Sequence, residues 1–366
     1  MSLSVGIVGL PNVGKSTLFN ALTKNEVLMA NYPFATIDPT VGVVAVPDSR
    51  LETLSKISGS SEIIPAIVEF VDIAGLVKGA SAGEGLGNKF LANIRETDMI
   101  AEVVRIFEDS EIHHVSGGID PMGDIEVINL ELIMADAETV SKRANNLERD
   151  VKRGDKTAVS EKALLDRLMP HLEAGQLANS LDMSDDERKI IKGLHLLTMK
   201  KFLYVCNKKQ DAFNLDEQDD ERWRELVEFF EKTGAEYVVV DAGMEHELKD
   251  LGDEEKNEFR REYGAQDSGV EALIRASYHN LGLMSYFTTG EKETRAWTVP
   301  IGSTGPEAGA AIHTDFKDKY IRAQVVSFED LVKCGSKAAA REQGKLRTEG
   351  KEYIVKDGDV IEFMHS

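Results

Sequence analysis

Gly9-Leu10-Pro11-Asn12-Val13-Gly14-Lys15-Ser16 satisfies the spacing G-x-x-x-x-G-K-[ST]. The chemistry this pattern serves is the grip on a polyphosphate. Gly9 and Gly14 allow backbone conformations and close approaches that a side chain would block. Lys15 reaches the terminal phosphates, and the Ser16 hydroxyl is placed to ligate Mg2+. The strand-like run Val5 to Val8 precedes the loop and a helix opens behind it. The backbone N–H groups of Asn12 to Thr17 and a positive helix end therefore converge on one spot.

A phosphate cradle leaves base, metal and reaction open. Asp72-Ile73-Ala74-Gly75 follows the apolar strand Ile67 to Val71, where a carboxylate behind the magnesium (Asp72) and a glycine sensing the γ-phosphate (Gly75) belong. Between the two motifs runs Asn31-Tyr32-Pro33-Phe34-Ala35-Thr36-Ile37-Asp38-Pro39-Thr40. This polar loop can place a threonine hydroxyl on the metal while a γ-phosphate is present; Thr36 is the choice and Thr40 the competitor.

The base is read at Asn207-Lys208-Lys209-Gln210, at the end of a predicted strand. Guanine-specific P-loop proteins carry Asn-Lys-x-Asp here, because two carboxylate oxygens match the N1–H and N2 donors of guanine. Gln210 has one acceptor oxygen and an amide donor, a mismatch of about 1–3 kcal/mol against guanine. Adenine offers a donor beside an acceptor and suits an amide, so within the base turn of Asn207, Lys208 and Gln210 it is Gln210 that favours ATP over GTP. For hydrolysis, Leu76 stands where Ras-like enzymes place a glutamine, and leucine cannot position water. Slow intrinsic turnover is expected. His113 and His114 lie in the loop after the strand ending at Phe107, at the end of an α/β sheet where loops line the ligand crevice. A histidine there can orient or deprotonate water, or be a surface loop residue, and the residues alone leave both readings open.

The elements that must position these groups alternate strand and helix over residues 1–124, with strands near 3–8, 41–46, 66–72 and 101–107 and helices near 15–24 and 87–97. This is a doubly wound α/β pattern. From Leu130 the period changes: Leu130, Ile133, Ala137, Val140, Ala144, Leu147 and Val151 are spaced 3 and 4 apart, an a/d seam. Gly154-Asp155 breaks it before Leu165, Leu168 and Leu172, which predicts an antiparallel helical hairpin. Ser184 to Glu187 reads as a capping box. Strands Phe202 to Cys206 and Tyr237 to Val240 restore the α/β pattern, so the hairpin reads as an insertion. The expected division is a discontinuous nucleotide domain (1–124 and 200–281), a helical insertion (125–199) and a β-rich module (282–366). In the last, Tyr353-Ile354-Val355 is expected to pair with Val360 to Phe363 across a turn at Lys356 to Asp359.

Composition sets bounds on function. With 366 residues and 42% hydrophobic content the chain is ordinary globular material. No apolar run approaches membrane-spanning length and the first strand begins directly, so a cytoplasmic protein without membrane attachment is expected. Cys206 and Cys334 cannot make a disulfide framework. The net charge of −21 argues against simple wrapping of nucleic acid, yet residues 282–366 hold 12 Lys+Arg against 13 Asp+Glu. Lys142, Arg143, Arg149, Lys152, Arg153 and Lys156 face only Glu148, Asp150 and Asp155, a local surplus that suits either phosphate or a solvated helix face.

The motif set, with Asp72-Ile73-Ala74-Gly75-Leu76-Val77-Lys78-Gly79-Ala80, Phe107-Glu108-Asp109, Ile312-His313-Thr314-Asp315-Phe316 and Asp357-Gly358-Asp359-Val360-Ile361, resembles the Obg-like translation-factor P-loop NTPases, and among them the YchF subfamily of Obg-like ATPases. The resemblance covers essentially the whole chain. It implies an ATPase with a hydrophobic residue in place of the catalytic glutamine, a coiled-coil insertion, a C-terminal TGS domain of β-grasp form, and the ribosome as partner, with RNA contact through the insertion and the TGS domain. It maps the catalytic histidine onto His114, and it makes Asn12 a candidate K+ ligand beside the Mg2+ site. This chain departs from the subfamily pattern at three places. Gln210 and Lys208 stand in the base motif, Ala35 stands where many bacterial members have cysteine, and Asp241 stands where serine is usual. A monomer is expected. The competing readings are an Obg-type GTPase and a nucleotide-gated scaffold with incidental hydrolysis.

Overall fold

The computed structural model describes residues 3–23, 40–73, 86–109, 118–218, 220–248, 251–252, 255–256, 258–259 and 268–365, with the side chains of 86–89 and 365 excepted. Thr36, Gly75, Leu76, His113 and His114 lie outside the described residues.

The chain begins β1 (Ser4–Val8), α1 (Lys15–Thr23), β2 (Val41–Ala45), α2 (Arg50–Ser58), β3 (Glu62–Ile64), β4 (Ile67–Asp72), α3 (Leu86–Glu96), β5 (Met99–Arg105) and β6 (Phe107–Glu108). After the helices α4 (Pro121–Lys152), α5 (Lys156–Glu173) and α6 (Asp185–Lys192) it returns as β7 (Lys201–Asn207), β8 (Phe213–Asn214), α7 (Glu221–Thr233), β9 (Glu236–Val240) and α8 (Ala242–Leu248). The first sheet has the order β2-β4-β1-β5-β7-β9. Only β2 runs antiparallel to its neighbour. Every residue of β5 is buried, as expected of a central parallel strand covered on both faces. That burial includes Glu102, neither of whose oxygens has a hydrogen-bond partner among the described residues; burial first, then Asp124, pushes its carboxyl well above the usual range.

α4 belongs to two cores. Its first turns place Ile125, Ile128, Leu132 and Ala135 in the core of the first sheet. Its later turns place Ile133, Val140 and Leu147 against Leu164, Leu165, Leu168 and Leu172 of α5. The seam holds from Ile133 to Val151, but Leu130 is 54% exposed, because at that height the helix turns the face of Ile128 and Leu132 to the sheet. The capping box at Ser184 and Glu187 forms, with both reciprocal hydrogen bonds present.

The remaining strands are β10 (Leu283–Thr289), β11 (Glu293–Pro300), β12 (Tyr320–Ser327), β13 (Arg347–Glu349) and β14 (Asp359–His365). Their sheet has the order β13-β12-β14-β10-β11-β3. Its sixth strand, β3, comes from the N-terminal part of the chain and pairs parallel to β11. The expected pairing of Tyr353 to Val355 with Val360 to Phe363 does not occur. β14 pairs with β12 and, at Phe287–Val360, with β10, while Ile354 bridges Thr304. The turn explains the difference, since Asp359 Oδ2 accepts both the Lys356 N–H (2.9 Å) and the Tyr353 hydroxyl (2.6 Å). The bend folds onto its own side chain and leaves β14 to seek partners elsewhere. No described helix is long and apolar enough to cross a membrane.

Candidate functional site

The parallel register gathers the carboxyl ends of five strands at one edge: Ile7 opposite Asp72, Val8 opposite Glu102, Arg105 opposite Asn207, and Asn207 opposite Val240. Ligands of open α/β sheets bind at this edge. The loop of residues 9–16 turns there with a φ of +64° at Asn12 and +99° at Gly14. Asn12 and Ser16 are exposed and Thr17 is half-buried in the first turn of α1. A β-carbon at Gly9 would lie 2.7 Å from the Val103 carbonyl oxygen, and one at Gly14 would overlap Asn207 Nδ2. Both glycines are thus required by close approach as well as by dihedral.

Lys15 is buried, with Nζ donating to the carbonyls of Gly9 (2.9 Å) and Leu10 (2.7 Å). Burial lowers its pKa to about 8, and Asp72 opposes that shift. The Asp72 carboxyl is raised by the same burial and pulled back by Lys15, so cation and carboxylate share one poorly solvated corner. Thr40 adjoins this corner, since its carbonyl accepts the Asp72 N–H at 2.8 Å. The described residues hold no cluster of three or more His, Cys, Asp or Glu side chains able to bind a metal. A cation here would be held by hydroxyl oxygen and the substrate's phosphates, the donor set magnesium takes in such sites.

Asn207, 4% exposed, joins three segments. Its Nδ2 donates to the Val13 carbonyl at 2.8 Å, and its Oδ1 accepts the Ala242 N–H at 3.1 Å. The turn after β7, the phosphate loop and the start of α8 are locked together through one amide. Asp241 makes a second tie. Its carboxylate accepts the N–H of Met244 at 2.8 Å and also the backbone N–H groups of Gln210 and Gly243. These bonds leave the carboxylate committed to backbone, so it does not stand in for the aspartate that Gln210 replaces. Lys208 turns to acids, with Nζ 2.7 Å from Glu217 and 3.8 Å from Asp216; despite its burial the Glu217 bond and these charges raise its pKa.

Sequence reading missed what surrounds these turns. Arg105 is 1% exposed, donates from Nε to the Phe107 carbonyl (3.0 Å) and from Nη2 to the Asp109 carbonyl (3.2 Å), and lies 4.5 Å over the Phe107 ring. A guanidinium at the end of a buried strand whose other charged residue is Glu102 was the available signal. The basic stretch on the insertion is weaker than its composition suggests. Glu138 pairs with Lys142 and Glu161 with Arg143, which reduces the surplus of three positive charges to one.

Comparison with known proteins agrees with this geometry. Residues 4–140 match a family model described as "50S ribosome-binding GTPase". Residues 283–366 match the model YchF-GTPase_C, described as "Protein of unknown function (DUF933)". The chain is 51% identical over 363 residues to a protein of Bacillus subtilis named ribosome-binding ATPase YchF, covering 99% of both chains. It is 49% identical over 364 residues to the Escherichia coli O157:H7 protein of the same name, covering 100% of this chain and 99% of that one. A solved structure titled "Structure of the Schizosaccharomyces pombe YchF GTPase" superposes with a TM-score of 0.88 at 37% identity, covering 99% of this chain and 98% of that one. The phosphate loop, the strand-end register and likeness over the full length together make this chain a member of the YchF family of P-loop NTPases.

Proposed function

We propose that the chain is a ribosome-binding ATPase with slow intrinsic turnover. The observation that carries this reading is the near-half identity, over essentially the whole chain, to relatives named ribosome-binding ATPases. The base end supports adenine: Gln210 replaces the guanine-reading aspartate, and the carboxylate of Asp241 is bonded to backbone, the Gln210 N–H included. Backbone N–H groups from Asn12 to Thr17 and the Lys15 ammonium grip the phosphates. Magnesium, when bound, neutralises charge that develops on the transferred phosphoryl group; Ser16 and Thr36 would hold it, with Asp72 behind. K+ at Asn12 would add to that neutralisation. His114 orients the water that attacks the γ-phosphorus as the bond to the ADP oxygen breaks, and Gly75 senses the γ-phosphate. The ribosome is the proposed partner, with RNA contact through the helical insertion and the C-terminal sheet.

Lys208, the lysine of guanine-specific motifs, favours a second reading as a GTPase. Titration with fluorescently labelled ATP and GTP separates the two: ATP binds tighter on the first, and tighter GTP binding overturns it. Replacing His114 with alanine should lower kcat by about 100-fold, in the usual range for a general acid or base, with ATP affinity within twofold. Unchanged turnover would remove the water-positioning role.

A further inference from the structure

Each residue of the base turn is held by a group outside it. The Asn207 amide spans Val13 and Ala242. The Lys208 N–H donates to the Val240 carbonyl at 2.9 Å, and the Lys209 N–H to Asn214 Oδ1 at 3.0 Å. The Gln210 N–H goes to the Asp241 carboxylate. Asp241 is 6% exposed, and the same carboxylate accepts the N–H groups of Gly243 and, at 2.8 Å, Met244. One side chain thus serves the first turn of α8 and, across the gap, the last residue of the base turn. Burial raises its pKa, and the three N–H bonds and the Lys208 ammonium pull it back. Lys208 spends its own bonds on Glu217 and Asp216. The Gln210 side chain is half-buried, and its amide has no partner among the described residues. Its root is fixed while its donor and acceptor stay open to a ligand.

We propose that Asp241 is a positioning residue for base specificity: by fixing the Gln210 backbone it aims the Gln210 amide at the base edge. The preference for adenine then depends on Asp241, although its carboxylate touches no base. The proposal rests on the base-reading role of Gln210. An amide tells a donor-acceptor edge from a two-donor edge only when its geometry is held, because hydrogen bonds weaken steeply off line. Contacts to the phosphates are common to both nucleotides and do not distinguish them. Specificity is a difference of affinities, so loosening the root of Gln210 acts on the ratio between ATP and GTP. Serine in place of Asp241 would offer one oxygen to three N–H groups, and alanine none.

The test measures Kd for the nonhydrolysable imido analogues of ATP and GTP in the wild type, Gln210→Ala, Asp241→Ala, Asp241→Ser, and Asp241→Ala combined with Gln210→Ala. The quantity read is the ratio of the GTP-analogue Kd to the ATP-analogue Kd. Gln210→Ala should lower it about tenfold and Asp241→Ala about fivefold, within the worth of one buried hydrogen bond. Asp241→Ser keeps an oxygen for the start of α8. It should lower the ratio about threefold with an unchanged melting profile, which separates loss of aim from loss of fold. Asp241→Ala should add no further change to Gln210→Ala, since both act through one amide. If Gln210→Ala lowers the ratio and neither Asp241 variant does, the coupling is wrong and the base reading stands. If Gln210→Ala keeps the wild-type ratio, that reading fails and the coupling with it. Equal weakening of both analogues in the Asp241 variants would make the residue a support of the fold alone and overturn the proposal. Effects that multiply in the double variant would put Asp241 itself on the base and overturn it too.

Discussion

Lys15 shows how a single residue turns fold into chemistry. Its ammonium sits on two loop carbonyls in a buried corner, and its pKa falls to about 8. A base with a depressed pKa is fully charged only below that value. Triphosphate charge restores the proton, so binding above pH 8 must take up a proton that binding at pH 7 does not. ATP affinity should hold steady from pH 6.5 to 7.5 and weaken towards tenfold per pH unit between 9 and 10. Calorimetry at pH 8.5 in buffers of different ionisation enthalpy should register uptake of up to one proton. Equal observed heats across the buffers would mean no proton is taken up and would place the lysine pKa near its ordinary value. The spacing G-K-S identified this lysine; its shift comes from the burial the fold imposes on it, which Asp72 of β4 only partly offsets.

Among the elements, α4 is the one whose role divides between sequence and structure. Its apolar period announced a helix and a partner helix, and both formed, because that information is local to the helix. What ties it to the segment leading into β7 is Asp136, 1% exposed, and no period marks that residue. Its carboxylate accepts the N–H groups of Leu197 and Thr198 at 2.8 Å each and the Thr198 hydroxyl at 2.6 Å. The way out of the insertion is thereby pinned to the way in, across 61 residues. Asp136→Ala leaves two buried N–H groups without acceptors and should destabilise the protein by about 2–5 kcal/mol in urea titration. Asp136→Asn, which keeps an acceptor oxygen, should lose less. A loss below about 0.5 kcal/mol for the alanine variant would show that the pin is dispensable.

At the scale of the whole molecule, the C-terminal sheet is completed by residues far upstream. β3 supplies its sixth strand, and Arg50 of α2 joins the two parts. Its guanidinium takes Asp48 at 2.8 Å and Asp357 at 2.6 Å and lies 4.9 Å over the Phe287 ring. Asp357 is half exposed, which reduces the contribution of that arm. Arg50→Ala should destabilise by about 1–2 kcal/mol and speed amide exchange along β10 and β11. Arg50→Lys should restore little, because a point charge cannot serve both carboxylates in one plane. Exchange unchanged in both variants would show the joint to rest on β3 alone.

The sequence by itself determined the phosphate loop, the strand and helix that flank it, the two insertion helices and the replacement of the guanine-reading aspartate. Each is written in consecutive residues, where spacing fixes which side of a turn or helix a group occupies. Tertiary structure decided the rest: the hydrogen bond from the Asn207 side-chain amide to the Val13 carbonyl across 194 residues, the commitment of Asp241 to backbone, the reach of Lys209 to Asp109, and the choice of partners by β14 and β3. Those contacts join strands whose order in the sheet differs from their order in the chain. A side chain that meets its partner only after strand pairing carries no periodic signature beforehand.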